Sequence, residues 1–154
     1  MGKEIRSYLC RRFILKMAKD LYHEAVKIAL VKEGWKITDD PYRIKVLDTN
    51  YEVDLGAEKL MAAERDGIKI AIEIKTFAGL SFTYEFHGAL GQYLNYATFL
   101  ELQEPERVLY LAVTRFVYDA YFQLPSTKYI ISKFNLNIVV FDPQIKKIEQ
   151  WLAK

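Results

Sequence analysis

Apolar and polar residues alternate most clearly at positions 68–77, IKIAIEIKTF, where isoleucine occupies every second place from 68 to 74. Side chains in a strand alternate between two faces. The pattern predicts a strand that buries its isoleucines and points Glu73 and Lys75 together to a polar, wet face. The preceding LMAAER, at 60–65, has the composition of either a helix or a strand, and the turn signal Asp66-Gly67 favours a hairpin.

Helical periodicity is found in two longer segments. Residues 18–33 predict a first helix that ends at Gly34. Its predicted buried stripe consists of Leu21, Ala25, Ile28 and Ala29. Residues 84–103 predict a second, mostly apolar helix in which close packing would explain Gly88 and Gly91, two residues that weaken a helix.

The remaining segments are shorter. Continuous or alternating apolar runs predict strands at 35–38, 42–46, 51–55, 107–114 and 137–141. Short helices are predicted at 116–123 and 126–134, and 145–152 predicts a strand or a short helix. This order of elements predicts an α/β domain with a mixed sheet and helices packed on it.

Composition fits one globular domain, because 51% of the 154 residues are hydrophobic and 27% are charged. The net charge of +2 does not mark a nucleic-acid binder, although a local basic surface is compatible with it. The single cysteine, Cys10, excludes an intrachain disulfide and favours a reducing, cytoplasmic setting. No apolar run approaches the roughly 20 residues that span a membrane.

The amino-terminal segment allows two interpretations. Met17 opens a stretch that is typical of a protein start, so residues 1–16 are interpreted as an extension or an alternative start, and 17–154 as a single domain. Alternatively, residues 1–16 begin an ordinary first helix.

Three polar residues on two predicted strands are the strongest candidates for chemistry. Asp54 lies on the polar face of YEVDL, and Glu73 and Lys75 share the polar face of the later strand. Two carboxylates on neighbouring strands can hold a hard cation such as Mg²⁺, which polarises a phosphate and lowers the pKa of a bound water. Lys75 would position that water and offset phosphate charge. The structural alternative is solvated charge on an amphipathic strand, the common case for an E-x-K triplet.

Two further features support a site. Glu24 falls at the edge of the apolar stripe, where a carboxylate is costly without a partner, so it is a candidate ligand for a metal or a water; alternatively it reaches solvent. Gln92 and Tyr96 are four residues apart and share a helix face, from which they would contact nucleic acid or order the site. The alternative is that Tyr96 is a core residue with a satisfied hydroxyl.

The order of these residues resembles that of the PD-(D/E)xK nuclease superfamily. The resemblance is to the branch with an acidic residue on the first helix and a Q-x-x-x-Y helix after the E-x-K strand. That order is Glu24, Asp54, Glu73-x-Lys75 and Gln92-x-x-x-Tyr96. From Met17 onward, about nine tenths of the chain more closely resembles the XisH family, the fdxN-element excision controlling factors found in cyanobacteria. The stretches that carry this resemblance are AKDLYHEAVKIALVKEGWKITDDPY, VDLGAEKLMAAERDGIKIAIEIKTF and FHGALGQYLNY.

The resemblance implies a restriction-endonuclease-like mixed β-sheet flanked by helices. It also implies a role beside a site-specific recombinase that removes a DNA element, with a small companion protein, XisI, as partner. The superfamily motif places Mg²⁺ or Mn²⁺ on Asp54 and Glu73, with Glu24 as a further ligand. Lys75 would assist the attacking water, with Gln92 in support. Val53 departs from the motif, which has proline before the first aspartate.

Three functions remain open on these grounds. The first is metal-dependent phosphodiester hydrolysis of DNA during excision of an element. The second is a catalytically inert module of the same fold that binds DNA or a protein, and the third is regulation of a complex with XisI without DNA contact. The intact acidic pair with its lysine favours the first over the second, whereas the low net charge favours the third. The sequence leaves self-association open.

Overall fold

Helices and strands alternate along the chain in the computed structural model, which describes residues 2–48 and 60–153, with side chains from residue 4. The helices are α1 (Gly2–Lys32), α2 (Phe82–Gln103), α3 (Arg115–Tyr121) and α4 (Pro125–Lys133). The strands are β1 (Lys36–Tyr42), β2 (Leu60–Arg65), β3 (Ile68–Ile74), β4 (Arg107–Thr114), β5 (Ile138–Asp142) and β6 (Lys147–Leu152).

The strands of the described ranges form one mixed sheet in which they lie side by side in chain order. β1, β2 and β3 pair in antiparallel fashion, β3, β4 and β5 are parallel, and β6 returns antiparallel to β5. Parallel neighbours need a crossover, which α2 supplies between β3 and β4, and α3 with α4 between β4 and β5. The predicted mixed sheet with packed helices is confirmed, and 145–152 contains a strand.

Two apolar layers hold the helices on the sheet. On one face, Val26 and Leu30 of α1 pack with Ile70 and Ile72 of β3. On the other, α2, α3 and α4 cover a second cluster that includes the fully buried Leu111 of β4. Within the described ranges, no helix is both long enough and apolar enough to cross a bilayer.

The hairpin interpretation of LMAAER is confirmed. β2 pairs with β3 from Met61 opposite Ile72 to Arg65 opposite Ile68. Asp66 and Gly67 join the strands with φ of 51° and 79°, and two successive positive values are what a tight hairpin turn of this kind requires.

The predicted buried stripe of the first helix is confirmed in part. Ala25 and Ala29 are buried as predicted, but Leu21 is 64% exposed, and Val26 and Leu30, which the stripe did not include, are buried. Apolar residues occupy more than one side of this helix, so packing against the sheet, which no local pattern encodes, decides which side is covered. The helix also begins at Gly2, so residues 2–16 continue the helix of residues 17–32. The division of the chain at Met17 stays a prediction.

The two strands predicted at 35–38 and 42–46 are not separate strands. β1 runs without interruption from Lys36 to Tyr42, and residues 43–46 lie outside any strand. Among the described strands, β1 lies at the edge of the sheet with one neighbour, a place where Pro41 can lack an N–H without breaking the sheet. The predicted strand 51–55 lies outside the described residues.

Close packing against the described residues does not explain the helical glycines. A Cβ atom added at Gly88 or Gly91 would meet no atom of residues 2–48 and 60–153 within 4 Å. Both residues therefore lie on the solvent side of α2, opposite its buried side chains.

A network of charges ties the end of α2 to the sheet. The Glu104 carboxylate accepts hydrogen bonds from Arg107 Nε (2.6 Å), Lys69 Nζ (3.0 Å) and the Tyr42 hydroxyl (2.8 Å). Arg107 Nη1 also donates to the Ile70 carbonyl at 2.9 Å. The hydrogen bonds from Arg107, together with those from Lys69 and Tyr42, lower the pKa of Glu104 to about 2, against the opposing effect of burial.

Candidate functional site

The carboxylate of Glu73 lies inside the protein, near the carboxyl end of β3. Glu73 pairs with Leu111 of β4 and has no exposed surface, although its face of β3 is the one predicted to be wet. That prediction is wrong because α2 covers this face. The other face buries Ile70, Ile72 and Ile74 as predicted, and Ile68 is 53% exposed.

Lys75 extends from the last residues of the strand back towards Glu73. Its backbone N–H donates to the Ala112 carbonyl at 3.1 Å, which continues the parallel ladder with β4. Its Nζ lies 3.2 Å from Glu73 Oε1, and its side chain is 13% exposed. A fully buried carboxylate is costly unless a charge or hydrogen-bond donor compensates it, and Lys75 supplies that charge.

α2 brings Gln92 and Tyr96 to the same face of the sheet. Ser81 caps the helix by accepting a hydrogen bond from the Tyr84 N–H at 3.3 Å. Three turns later, Gln92 Oε1 accepts a hydrogen bond from Lys75 Nζ. Tyr96 is 3% exposed and packs in the core, which favours support of the site over contact with nucleic acid.

The loop between β3 and α2 is fixed by a contact that sequence reasoning missed. The Gly79 N–H donates to the Glu85 carboxylate, 3.1 Å from each oxygen. A Cβ atom at Gly79 would come within 2.8 Å of the Glu85 carboxylate, so a larger residue here would displace that side chain. The only local signals are a glycine after the strand and an acidic residue in the first turn of a helix. The contact fixes the loop that follows Lys75.

Two predicted site residues are not brought to this cluster by the described structure. Glu24 is exposed on α1, which covers the opposite face of the sheet from α2. Asp54 lies outside the described residues, so its place beside Glu73 stays a prediction. Among residues 2–48 and 60–153, no group of three histidine, cysteine, aspartate or glutamate residues is arranged to hold a metal ion.

The charge of Glu73 acts on the surrounding core. Burial raises the pKa of Tyr93 to about 12, and the negative charge of Glu73 acts in the same direction. The Tyr93 hydroxyl donates to the Leu109 carbonyl and accepts from the Asn137 N–H, both at 3.0 Å. Tyr93 therefore joins α2 to β4 and to the start of β5, and helps to keep Gln92 over Lys75.

Together these features define an α/β domain with a carboxylate–lysine pair buried beneath a glutamine-bearing helix. The sequence profile of the XisH protein family matches residues 16–149. The chain belongs to the XisH family. No curated protein matches the sequence.

Solved structures agree with this family. A crystal structure of an XisH family protein from Nostoc punctiforme is 44% identical, with a TM-score of 0.79; the match covers 86% of this chain and 99% of that one. A crystal structure of an fdxN element excision controlling factor protein from Anabaena variabilis is 47% identical, with a TM-score of 0.80; coverage is 87% of this chain and 99% of that one.

Proposed function

We propose that this protein is a metal-dependent, nuclease-like factor that hydrolyses phosphodiester bonds in DNA during excision of an element. One observation carries the proposal: Glu73 has no exposed surface, and its carboxylate lies 3.2 Å from Lys75 Nζ. Gln92 accepts a hydrogen bond from the same ammonium. Three polar side chains meet in an otherwise apolar layer. Burial of each lowers stability unless it pairs with the others or with a ligand.

The arrangement also supports a restriction-endonuclease-like core of the PD-(D/E)xK type. Glu73 and Lys75 occupy the end of a central strand that follows a hairpin, and Gln92 comes from the crossover helix after that strand. Ligands in open α/β sheets bind beyond the carboxyl ends of parallel strands, which is where Lys75 lies.

The donor atoms suit a hard divalent cation. Glu73 and Asp54 would hold Mg²⁺ or Mn²⁺ through carboxylate oxygens, whereas Glu24, on the opposite face of the sheet, is not part of this ligand set. The ion would polarise the phosphate and lower the pKa of a bound water. Lys75, held by Gln92, would orient that water and offset the negative charge of the phosphate. Tyr96 would keep the helix in place from within the core.

The family gives the setting for this chemistry. The relative from Anabaena variabilis is called an fdxN element excision controlling factor. By extension, this chain would act in the cytoplasm with a site-specific recombinase, DNA and a small XisI-like partner.

A second candidate is a catalytically inert accessory module of the same fold. It is favoured by the contacts of Lys75, whose ammonium group is paired with Glu73 and hydrogen-bonded to Gln92. Such a protein would bind XisI or DNA through its surface and keep the buried pair as part of its core.

Cleavage of single-stranded, duplex and branched DNA tests the proposal. The informative variant is Glu73→Gln combined with Lys75→Met, because removal of both charges leaves no unpaired ion in the core. Glu101→Gln combined with Lys128→Met is the matched control, since both residues are exposed and the charge change is the same. We expect cutting that requires Mg²⁺ or Mn²⁺, is unchanged in the control, and falls by about 100-fold or more in the buried-pair variant.

Two results would contradict the proposal. Absence of cutting by the parent chain on every substrate, with and without an XisI-like partner, would favour the accessory module. Equal cutting by the parent and by the buried-pair variant would place the reaction at other residues.

A further inference from the structure

Five basic or titratable side chains lie along one side of α1. We call these residues the basic ridge: Arg12, Lys16, Lys19, His23 and Lys27. Their spacing of four, three, four and four residues keeps them within an arc of about 80° on the helix. The ridge is about 22 Å long at the rise of an α-helix. The net charge of the whole chain, +2, does not reveal this local cluster of positive charge.

The two ends of the ridge differ in their surroundings. At the end nearer the sheet, His23 Nε2 lies 2.9 Å and Lys27 Nζ 3.0 Å from the Asp40 carboxylate of β1. Arg12 and Lys16, at the other end, have exposed side chains. Asp20 flanks the ridge without interrupting it. Asp40 therefore anchors one end, and the other presents positive charge to solvent.

Ring and hydrogen-bond contacts give the direction of α1. Tyr22 packs edge-on against Phe141, near the carboxyl end of β5, with ring centroids 5.8 Å apart. At the other end of the helix, Glu33 accepts a hydrogen bond of 3.0 Å from Trp151 Nε1, and Trp151 pairs with Val139 near the start of β5. α1 is therefore antiparallel to β5, and its amino-terminal part extends past the carboxyl ends of the parallel strands.

This edge, formed by the carboxyl ends of the parallel strands, is also where Lys75 directly follows β3. The ridge lies on α1, which covers one face of the sheet, and the Glu73–Lys75 pair lies beneath α2 on the other face, but both are near the same edge. A long ligand that runs along that edge can reach both the ridge and the partly exposed Lys75.

Charge is distributed unevenly along the chain. Six of the 22 lysine and arginine residues, but only two of the 20 acidic residues, occur in the first 20 positions. This segment therefore carries a formal charge of +4 and the remainder −2. A basic arm attached to a slightly acidic body is typical of proteins that bind polyanions.

The apolar residues of the same segment argue against a lipid surface. A helix that lies on a membrane needs one continuous apolar face. Ile5 and Ile14 are both exposed, and they project about 180° apart around the helix. The exposed apolar side chains spread over at least half of the helix circumference and Arg6 projects in the middle of that arc, so they form no uninterrupted apolar face, whereas the ridge stays within about 80°.

We propose that the basic ridge of α1 binds the phosphate backbone of a nucleic acid and guides it along the edge that holds Lys75. This inference rests on the proposed function for the choice of DNA as ligand, but backbone binding does not require cleavage. Successive ridge residues rise about 5–6 Å along the helix, so long side chains can follow consecutive phosphates of one strand.

Salt-dependent binding tests the ridge. Affinity of the full chain for duplex and single-stranded oligonucleotides is measured by fluorescence anisotropy in EDTA, between about 50 and 200 mM salt. The variant is Arg12→Gln, Lys16→Gln and Lys19→Gln together. The control neutralises three exposed lysines elsewhere, Lys128→Gln, Lys133→Gln and Lys147→Gln. We expect the ridge variant to lose at least about tenfold in affinity at the lowest salt, and its slope of log K against log salt to fall by about 2–3 on duplex DNA.

Other outcomes overturn the inference. No binding by the parent chain, or equal losses in the ridge and control variants, would mean that the ridge is a solvated face. Sedimentation with anionic phospholipid vesicles that depends on the ridge, without any effect on DNA, would assign it to membranes instead. EDTA suppresses metal-dependent cutting, so binding is measured independently of cleavage. If the ridge binds DNA but the protein never cleaves it, the proposed function is refuted and this inference stands.

Discussion

At the scale of single residues, the unusual feature is an ion pair placed where an apolar pair would also fit. Glu73 has no exposed surface, and the Lys75 side chain is 13% exposed. A buried ion pair adds little or nothing to stability compared with apolar residues of similar volume. Its presence in the middle of a core is therefore better explained by a ligand or a reaction than by folding.

Removal of these charges one at a time should differ from their joint removal. Glu73→Gln leaves a buried ammonium group and Lys75→Met leaves a buried carboxylate, so each should lower the free energy of unfolding by about 3 kcal/mol. The double variant should come within about 1 kcal/mol of the parent chain. Urea denaturation measures all three, with Glu101→Gln as an exposed control. Additive losses would show that the two charges do not depend on each other.

Sequence patterns identify these residues better than they describe their surroundings. The E-x-K triplet places Glu73 and Lys75 on one face of a strand, and the Q-x-x-x-Y spacing places Gln92 on one face of a helix. Alternation states which side chains share a face but not what covers that face, so the burial of Glu73 under α2 could not be predicted. The contact between Gly79 and Glu85 depends on the path of a loop and leaves no periodic signal.

At the scale of secondary-structure elements, the sequence is a sound guide where a turn signal or a continuous apolar run marks the element. The hairpin of β2 and β3 and the central strand β4 follow from their patterns. α1 and β1 do not, because α1 has apolar residues on several sides and β1 contains a proline that only an edge strand tolerates. Packing between elements decides which side of α1 is buried and where β1 lies in the sheet.

The network around Glu104 makes the stability of these elements depend on pH. Its folded-state pKa of about 2 lies below the usual value of 4.5, so the bonds from Arg107 and Lys69 stabilise the fold above about pH 4.5. That contribution is lost as the pH falls from 4.5 towards 2. Glu104→Gln should lower the free energy of unfolding at pH 7 by about 2 kcal/mol, because the buried Arg107 loses its nearest carboxylate and keeps only the longer ion pair with Glu64, at 3.6 Å.

Chemical denaturation between pH 7 and pH 2.5 checks this expectation. Glu101→Gln is the matched control on the same helix, since Glu101 is exposed. The parent and the control should lose stability in parallel over the acidic range, and Glu104→Gln should lose less. Identical acid profiles for all three proteins would show that the network does not contribute to acid sensitivity.

At the scale of the whole molecule, the buried ion pair and the basic part of α1 lie at one edge of the sheet. The carboxyl ends of β3 and β5 bring the Glu73–Lys75 pair and the amino-terminal part of α1 to this edge. The family, the mixed α/β fold and the shared face of Glu73 and Lys75 could be predicted from the sequence, whereas the role of these residues in a site stays a prediction. The direction of α1, and with it the basic ridge, required the packed structure.

Binding of Mn²⁺ by isothermal titration calorimetry tests the central claim most directly, because the claim requires Asp54 and Glu73 to share a cation. The parent chain and the control Glu101→Gln should bind with the same Kd and one dominant site. Asp54→Asn, and Glu73→Gln combined with Lys75→Met, should each abolish that site. Absence of Mn²⁺ binding by the parent chain, or unchanged binding in both site variants, would contradict the account.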